Sequence, residues 1–321
     1  MNMDNLLDIG EGPIISEATE SIFVGSNLYN LDADRLQFEY EMIRSLSHHH
    51  LFRSARMSSL ICPTTQAFSD PENKMKNRSQ SVPCWDHSRV KLSNSPRSDY
   101  IHANWIKGFD GARKFIGSQA PMTETINDHL DMIWQTKSTI IVVLTKIYDN
   151  DVELCYPYWS SVVNNCRKTE KYIVETKKVI DRPGYTKYLL KLKNSEITND
   201  SRDVSLYHYT NWPEHRTPEN IIQFIDLIMA INNEQHVQSV FQGNFPGPIV
   251  VHDSDNVNCT GTFCAIDLCI DIWLMKKRFN VQAVVKYVRR MRHSSVPTVD
   301  HYFFIYRVLA DFVNLDIEFV Y

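Results

Sequence analysis

The chain has 321 residues, a formal net charge of −4 and an apolar content of 43%, which is ordinary for a soluble globular protein. This balance gives no overall attraction to nucleic acid or to a membrane surface. No apolar run approaches the roughly 18 residues of a membrane span, and the acidic start lacks the pattern of a signal peptide. The seven cysteines are odd in number and lack pair spacing, which indicates reduced thiols. We therefore expect a cytoplasmic protein.

Two parts of the chain differ in patterning. Residues 1–30 are weakly patterned and are predicted to be a lead-in segment. Residues 31–321 are continuously patterned, with no repeats, low-complexity tracts or long linkers. The sequence thus predicts a single domain over 31–321.

The predicted elements of the first two thirds alternate between helices and strands. The stretch DADRLQFEYEMIRSL predicts a helix with Leu36, Tyr40, Ile43 and Leu46 on one face. A second helix is predicted for ETINDHLDMIWQT, followed by the fully apolar strand STIIVVLT. YTKYLLKLK and DVSLYHYT are predicted as further strands.

Helices dominate the last third. The stretch TPENIIQFIDLIMAIN predicts a helix with a proline just inside its start, and GPIVVH predicts another buried strand. Three helices are predicted to close the chain: one from Cys259, one after the N-cap Asn280, and one over HYFFIYRVLADFV. Mixed elements on this scale favour an α/β domain with a covered central sheet.

The stretch VHDSDNVNCTG, which follows the predicted strand at 247–252, has the layout of a functional loop. It reads as a strand end, a polar loop and a helix start, where many enzymes bind an anion. However, the loop carries two aspartates, two asparagines and a cysteine, where an anion site would use glycines and a cation.

Five blocks of the sequence resemble protein tyrosine phosphatases, in that family's order. GPIVVHDSDNVNCTGTF resembles the signature H-C-S-A-G-V-G-R-T-G, and YHYTNWPEHRTPEN resembles the mobile acid loop W-P-D-H-G-x-P. The other blocks are KNRSQSVPCWDHSRVKL with SDYIHANWIKG, KFIGSQAPMTETINDHLDMIW, and VPTVDHYFFIY. The resemblance implies a single tyrosine-phosphatase domain, with a highly twisted mixed central sheet and helices on both faces.

The family's chemistry is absent at the positions that match its catalytic residues. The resemblance places Asp253 at the cysteine nucleophile, Cys259 at the phosphate-binding arginine and Glu214 at the general acid. The family's substrate-binding positions are also altered. They are occupied here by Ser79, Asp255, Asn256, Asn258, Pro297 and His301.

These substitutions predict a protein that neither hydrolyses nor tightly binds phosphotyrosine. Two unit charges about 4 Å apart repel by roughly 4 kcal/mol at an effective dielectric near 20, so Asp253 and Asp255 would oppose a phosphate. Loss of the arginine removes roughly 1.5–3 kcal/mol per charge-assisted hydrogen bond. We therefore expect a pseudophosphatase with no cofactor and no metal, acting through protein partners rather than nucleic acid.

Several alternatives use the altered residues differently. VVHDSDNV also fits the D-x-D-x-[TV] pattern of haloacid-dehalogenase-like phosphatases, in which Asp253 and Asp255 would act with a divalent metal. Cys259 could instead be a reactive thiol near a helix start. A substrate-trapping binder is a third reading, opposed by the missing arginine. Two basic clusters, at 276–278 and 289–293, are interpreted as solvated helix faces, with an acidic docking partner as the alternative.

The freedom with which the catalytic residues have been replaced resembles a particular branch of the family. It is similar to the tyrosine-phosphatase-like proteins of polydnaviruses, the bracoviruses of parasitoid wasps. That resemblance implies the cytoplasm of an infected insect cell as the setting and host signalling proteins as the partners. A cellular pseudophosphatase is the alternative origin.

Overall fold

A computed structural model describes residues 32–46, 63–93, 98–197, 200–213, 216–241, 247–254 and 259–318. A short 3-10 helix, Pro71–Lys76, precedes the first strand. The α-helices in these ranges are α1 Ala33–Ser45, α2 Gln66–Ser69, α3 Ile126–Gln135, α4 Ile221–Phe241, α5 Cys259–Lys276, α6 Val281–Met291 and α7 Val299–Glu318.

Eleven strands are described, nine of which form one sheet in the order β1-β2-β3-β11-β4-β10-β9-β8-β7. The strands before the third helix are β1 Arg89–Lys91, β2 Tyr100–Lys107 and β3 Arg113–Gln119. The strands after it are β4 Ile140–Val143, β5 Tyr148–Asp149, β6 Val152–Glu153, β7 Cys166–Lys168, β8 Tyr172–Arg182, β9 Tyr185–Asn194, β10 Ser201–His208 and β11 Ile249–Asp253. The short strands β5 and β6 pair separately as a hairpin.

The sheet is mixed, with a parallel centre and antiparallel flanks. Strands β3, β11, β4 and β10 run parallel to one another. The flanking pairs on either side are antiparallel. Parallel strands are covered on both faces, which accounts for the apolar run of β4 and for the three apolar residues that begin β11.

Two cores lie on opposite faces of this sheet, because successive side chains of a strand point to opposite faces. Val251 of β11 faces a core built with α1 and α4 to α7, whereas its neighbour Val250 faces a core built with α3. Both faces therefore carry helices, as predicted. The predicted face of α1 is confirmed for Leu36, Tyr40 and Ile43, which are buried, whereas Leu46 follows the end of the helix and is half-buried.

The start of α4 differs from the prediction. The prediction placed Pro218 inside the helix, but the helix begins at Ile221. Asn220 accounts for the difference, because its side-chain oxygen accepts a hydrogen bond from the backbone N–H of Gln223 at 3.0 Å. An asparagine at the N-cap accepts a hydrogen bond from a free backbone N–H of the first turn, whereas a proline side chain has no acceptor for it.

The parallel centre positions the loop that follows β11. The carboxyl ends of parallel strands lie at one edge of the sheet, where open α/β folds place their binding sites. There β11 ends at Asp253, between β3 and β4, and the chain returns at Cys259 as α5. None of the described helices is long and apolar enough to cross a bilayer.

Candidate functional site

The side chain of Asp253 occupies the N-terminus of α5. Its Oδ2 accepts hydrogen bonds from the backbone N–H of Cys259 at 2.7 Å and of Thr260 at 3.0 Å. Asp253 is 2% exposed, so these bonds lie away from water. A helix N-terminus attracts anions through its unpaired N–H groups and its dipole. In this protein the anion that it holds is the chain's own carboxylate.

A buried arginine, Arg292, lies near Asp253 and interacts with it electrostatically. Arg292 is 1% exposed, and its Nη1 donates to Asn104 Oδ1 at 2.8 Å and to Gly117 O at 2.9 Å. Burial lowers the pKa of Arg292, while the nearby Cys84 and Asp253 oppose that shift. Arg292 is therefore a structural cation, and its interpretation as part of a solvated helix face was wrong.

Two glycines make room for this arrangement. A Cβ on Gly117 would lie 2.9 Å from Cδ of Arg292, so this position admits the buried arginine only without a side chain. A Cβ on Gly261 would lie 2.6 Å from Cβ of Ser295 and 2.9 Å from its Cα. The first turn of α5 thus packs directly on the segment between α6 and α7.

The strand that leads into the loop is fixed by a buried histidine. His252 is fully buried, and its Nε2 is 2.9 Å from the hydroxyl of Tyr158. The ring of His129 contacts it edge-on, with centroids 5.2 Å apart. Burial lowers the pKa of His252 well below its usual range. This histidine therefore supports the loop as a neutral structural group.

The segment around Ser79 is held by Arg78 from behind. The guanidinium of Arg78 donates to the carbonyls of Glu153 at 3.0 Å and Pro121 at 3.1 Å. Ser79 itself is half-buried, and its hydroxyl pairs with that of Ser81 at 2.9 Å. The arginine here serves the fold, and Ser79 offers no ring against which a substrate ring could stack.

His301 lies under the segment that carries the acid-loop motif. Its ring stacks on Trp212 with an interplanar angle of 16°, and its Nδ1 is 2.7 Å from the hydroxyl of Thr298. Burial lowers the pKa of His301 to about 4, so the ring is neutral at pH 7. Trp212 in turn donates from Nε1 to the carbonyl of Arg216 at 2.9 Å. These contacts make His301 part of the packing of this segment.

The turn carrying Pro297 is fastened to α1. Arg289 donates to the carbonyls of Ser295 and Val296, each at 2.8 Å, and the hydroxyl of Tyr40 donates to the carbonyl of Pro297. Arg289 is thus a second structural arginine. The sequence interpretation missed the structural role of both arginines. Arg289 binds turn carbonyls and Arg292 binds a buried asparagine, and these partners cannot be identified from the sequence.

Four of the predicted site residues lie outside the described residues: Glu214, Asp255, Asn256 and Asn258. Of the others, the structure brings Asp253 and Cys259 into direct contact through a backbone hydrogen bond, whereas Ser79, Pro297 and His301 form hydrogen bonds with other partners. Cys259 is 9% exposed and belongs to the larger core. Across the described ranges, no three His, Cys, Asp or Glu side chains are grouped as a metal site.

Comparison with known proteins identifies the family. Residues 73–311 match the protein-tyrosine phosphatase family, which is most of the chain. The chain is 37% identical over 291 residues to "Probable tyrosine phosphatase protein N1" of Microplitis demolitor bracovirus, covering 86% of this chain and 89% of that protein. The chain belongs to the protein-tyrosine phosphatase family.

Other relatives are both viral and cellular. "Tyrosine phosphatase-like protein H1" of the same bracovirus is 35% identical over 274 residues, covering 82% of this chain and 79% of that protein. "Tyrosine-protein phosphatase 99A" of Drosophila melanogaster is 32% identical over 253 residues, covering 75% of this chain and 18% of that protein. The predicted resemblance to bracovirus proteins is therefore confirmed.

Proposed function

We propose that this protein is a catalytically inactive member of its family, a pseudophosphatase that acts through protein contacts. One observation carries the proposal. The carboxylate of Asp253 already occupies the two backbone donors at the start of α5, and it is shielded from water there. A phosphate would have to displace that carboxylate or share the helix end with it.

The charges of the site support the same conclusion. Two like charges about 4 Å apart repel by roughly 4 kcal/mol at an effective dielectric near 20. Arg292 is engaged by Asn104 and the carbonyl of Gly117 from behind the loop. Cys259, which matches the position of the family's arginine, supplies no charge to offset a phosphate. We infer that the site disfavours phosphate in its ground state and in any transition state.

The setting that we propose rests on the relatives. Two of the most similar proteins are bracovirus products, one of which is described only as tyrosine phosphatase-like. We infer that this protein is likewise a viral product and modulates signalling in the cytoplasm of a host cell. Its partners there would be proteins.

The test is a phosphatase assay with restored residues. The natural protein and a variant with Asp253→Cys and Cys259→Arg are assayed on a phosphotyrosine peptide, each with and without Mg²⁺. A fuller variant adds Glu214→Asp, Asp255→Ala, Asn256→Gly and Asn258→Gly. Cys259→Arg alone is the matched control, because it restores the cation without a nucleophile. Circular dichroism checks that each variant folds.

We expect turnover only in variants that carry both a cysteine at 253 and an arginine at 259. Turnover by the natural protein would disprove the proposal, and dependence on Mg²⁺ would make Asp253 the candidate nucleophile. A folded six-residue variant without activity would show that these six positions do not by themselves account for the loss of chemistry.

A further inference from the structure

Charge is segregated along this chain. Residues 166–193 contain nine lysines and arginines against three aspartates and glutamates, a net charge of +6. The whole chain carries −4, so the remainder carries −10. This basic segment forms β7, β8 and most of β9, at one edge of the main sheet. It is distant in sequence from the loop after β11.

The register of these strands places most of the lysines on one face. Tyr172, Val174, Leu190 and Leu192 are buried in the core with α3. Alternate residues therefore point the other way. Directly paired residues share a face in antiparallel strands. We call this surface the lysine face. Its members on β7, β8 and β9 are Lys168, Ile173, Glu175, Lys178, Leu189, Lys191 and Lys193, and β10 adds Ser201 and Asp203.

Much of the lysine face is open. Lys168, Lys178 and Lys193 are exposed, and Lys191 is half-buried. Helix α4 covers the neighbouring part of the sheet, where Glu234 binds Lys187 and the hydroxyl of Ser205. The lysine face continues beyond that cover to β7, the outermost strand of the sheet.

Only part of the positive charge is neutralised. Glu175 lies 3.7 Å from Lys193 and 2.7 Å from Lys177. Within the described part of the chain, Lys168, Lys178 and Lys191 have no carboxylate within ion-pair distance. Three ammonium groups without an ion pair thus border the half-buried side chains of Ile173 and Leu189. The exposed Asp203 of β10 lies beside Lys191 on this face and offsets part of its charge.

We propose that the lysine face binds an acidic, extended segment of a partner protein. Side chains on one face of a strand repeat about every 6.8 Å, so an extended segment with alternating acidic residues matches the spacing of Lys191 and Lys193. Its intervening aliphatic side chains would cover Ile173 and Leu189. Complementary charge speeds and orients such an encounter.

A protein segment fits this surface better than a nucleic acid does. Surfaces for single-stranded nucleic acid stack bases on aromatic rings, whereas the apolar members of the lysine face are aliphatic. Glu175 lies at the centre of this face and would repel a phosphate backbone. Its own charge is balanced by ion pairs with Lys177 and Lys193. The proposal does not depend on the loss of phosphatase activity, because the lysine face is separate from Asp253.

Fluorescence anisotropy on the full chain tests the proposal. The probe is a labelled peptide of alternating glutamate and valine, and its glutamine-for-glutamate analogue is the neutral control. The test variant carries Lys168→Gln, Lys178→Gln and Lys191→Gln. The matched control variant carries Lys276→Gln, Lys277→Gln and Arg278→Gln, which removes the same charge from the end of α5.

We expect the test variant to bind the acidic peptide about tenfold more weakly than the natural protein, because three charge pairs with the peptide are lost together. The control variant should bind as the natural protein does. Raising NaCl from about 50 mM to about 300 mM should weaken binding, since surface charges are screened over a shorter distance.

Four results would overturn the proposal. One is an unchanged affinity in the test variant, and another is an equal loss in the control variant. A third is tighter binding of a short oligothymidylate or of phosphatidylserine vesicles than of the peptide. The fourth is peptide binding that appears only after removal of residues 1–31, which hold five acidic residues and no lysine or arginine. That result would make the chain's own start the occupant.

Discussion

At the residue scale, Asp253 changes what the end of β11 does. A thiolate there could face a ligand across an open loop. The carboxylate of Asp253 instead turns onto the N–H groups of Cys259 and Thr260 and acts as a cap for α5. The same physics that lets a helix N-terminus bind phosphate thus stabilises the fold here.

Removing this cap should destabilise the protein. We expect Asp253→Ala to lower the free energy of unfolding by about 1–2 kcal/mol or more, because two helix donors lose their acceptor and Arg292 loses a nearby carboxylate. Asp253→Asn should cost less, since an amide oxygen can still accept. Urea unfolding measures both. Asp300→Ala, at an exposed first-turn aspartate of α7, is the control, and an equal loss there would refute the capping role.

Gly261, in the first turn of α5, gives a second prediction. Gly261→Ala should cost about 1–3 kcal/mol, because the new methyl group would overlap Ser295 at both Cβ and Cα. Gly108→Ala is the matched control, because its closest contact is the flexible side-chain oxygen of Asp110. Thermal unfolding compares the two. Equal effects would mean that the packing of α5 on Ser295 is not tight.

At the element scale, α5 is joined to the sheet through an unbalanced charge cluster. Lys114 of β3 contacts the carboxylates of Asp267 and Asp271, and Asn232 of α4 donates to Asp267 at 2.7 Å. Burial and the neighbouring Asp267 raise the pKa of Asp271 to about 6. One lysine therefore serves two carboxylates, and the charged form of Asp271 is disfavoured in the fold.

This cluster predicts that neutralising Asp271 stabilises the protein, and that the gain depends on pH. Because the folded-state pKa of Asp271 is raised, ionisation favours the unfolded chain, and stability falls as pH rises from about 4 to about 6. Asp271→Asn should remove that loss and stabilise the protein by about 1–3 kcal/mol above pH 6. At pH 4 the gain should vanish. Urea unfolding at several pH values measures it.

Asp267→Asn provides the contrast on the same helix. Asp267 is fully buried and bonds both Lys114 and Asn232, so its neutralisation should destabilise the protein at neutral pH by about 3 kcal/mol or more. If both variants moved stability in the same direction, the assignment of the excess charge to Asp271 would be wrong.

At the scale of the whole molecule, buried neutral histidines set the response to acid. Burial lowers the pKa of His102 and His129 to about 3 and that of His301 to about 4. The pKa of His252 also lies well below its usual range. As pH falls below 6.5, these histidines are protonated in the unfolded chain but stay neutral in the folded protein, so the free energy of unfolding falls. This loss outweighs the opposite effect of Asp271 and Asp128, whose carboxyl pKa values are raised by burial.

We predict that replacing one of these histidines changes how steeply the free energy of unfolding depends on pH. Each such histidine contributes about 1.4 kcal/mol per pH unit between its two pKa values. His129→Leu should therefore reduce the slope of unfolding free energy against pH by about that amount between pH 6.5 and 4.5. The exposed His236→Leu is the control. Equal slopes for His129→Leu and the natural protein would show that His129 is protonated in the fold.

Much of the fold followed from local patterns. The burial of Leu36, Tyr40 and Ile43 and the apolar strand β4 were predictable, since periodicity and composition are local properties. The basic segment 166–193 was not singled out from the sequence, although its charge can be counted there, and the lysine face that it forms depends on strand pairing. The starting residue of α4 was misplaced because proline and Asn220 compete as start signals.

The sequence by itself determined the class of the protein and predicted an exchange of catalytic residues in the loop after β11, because both follow from residue identity and order. Only the tertiary structure decided what Asp253 and the nearby arginines do in the fold. Asp253 caps a helix, and Arg289 and Arg292 bind turn carbonyls and a buried asparagine. The physical reason is that burial and partners set the role of a charged side chain, and distant parts of the chain supply both.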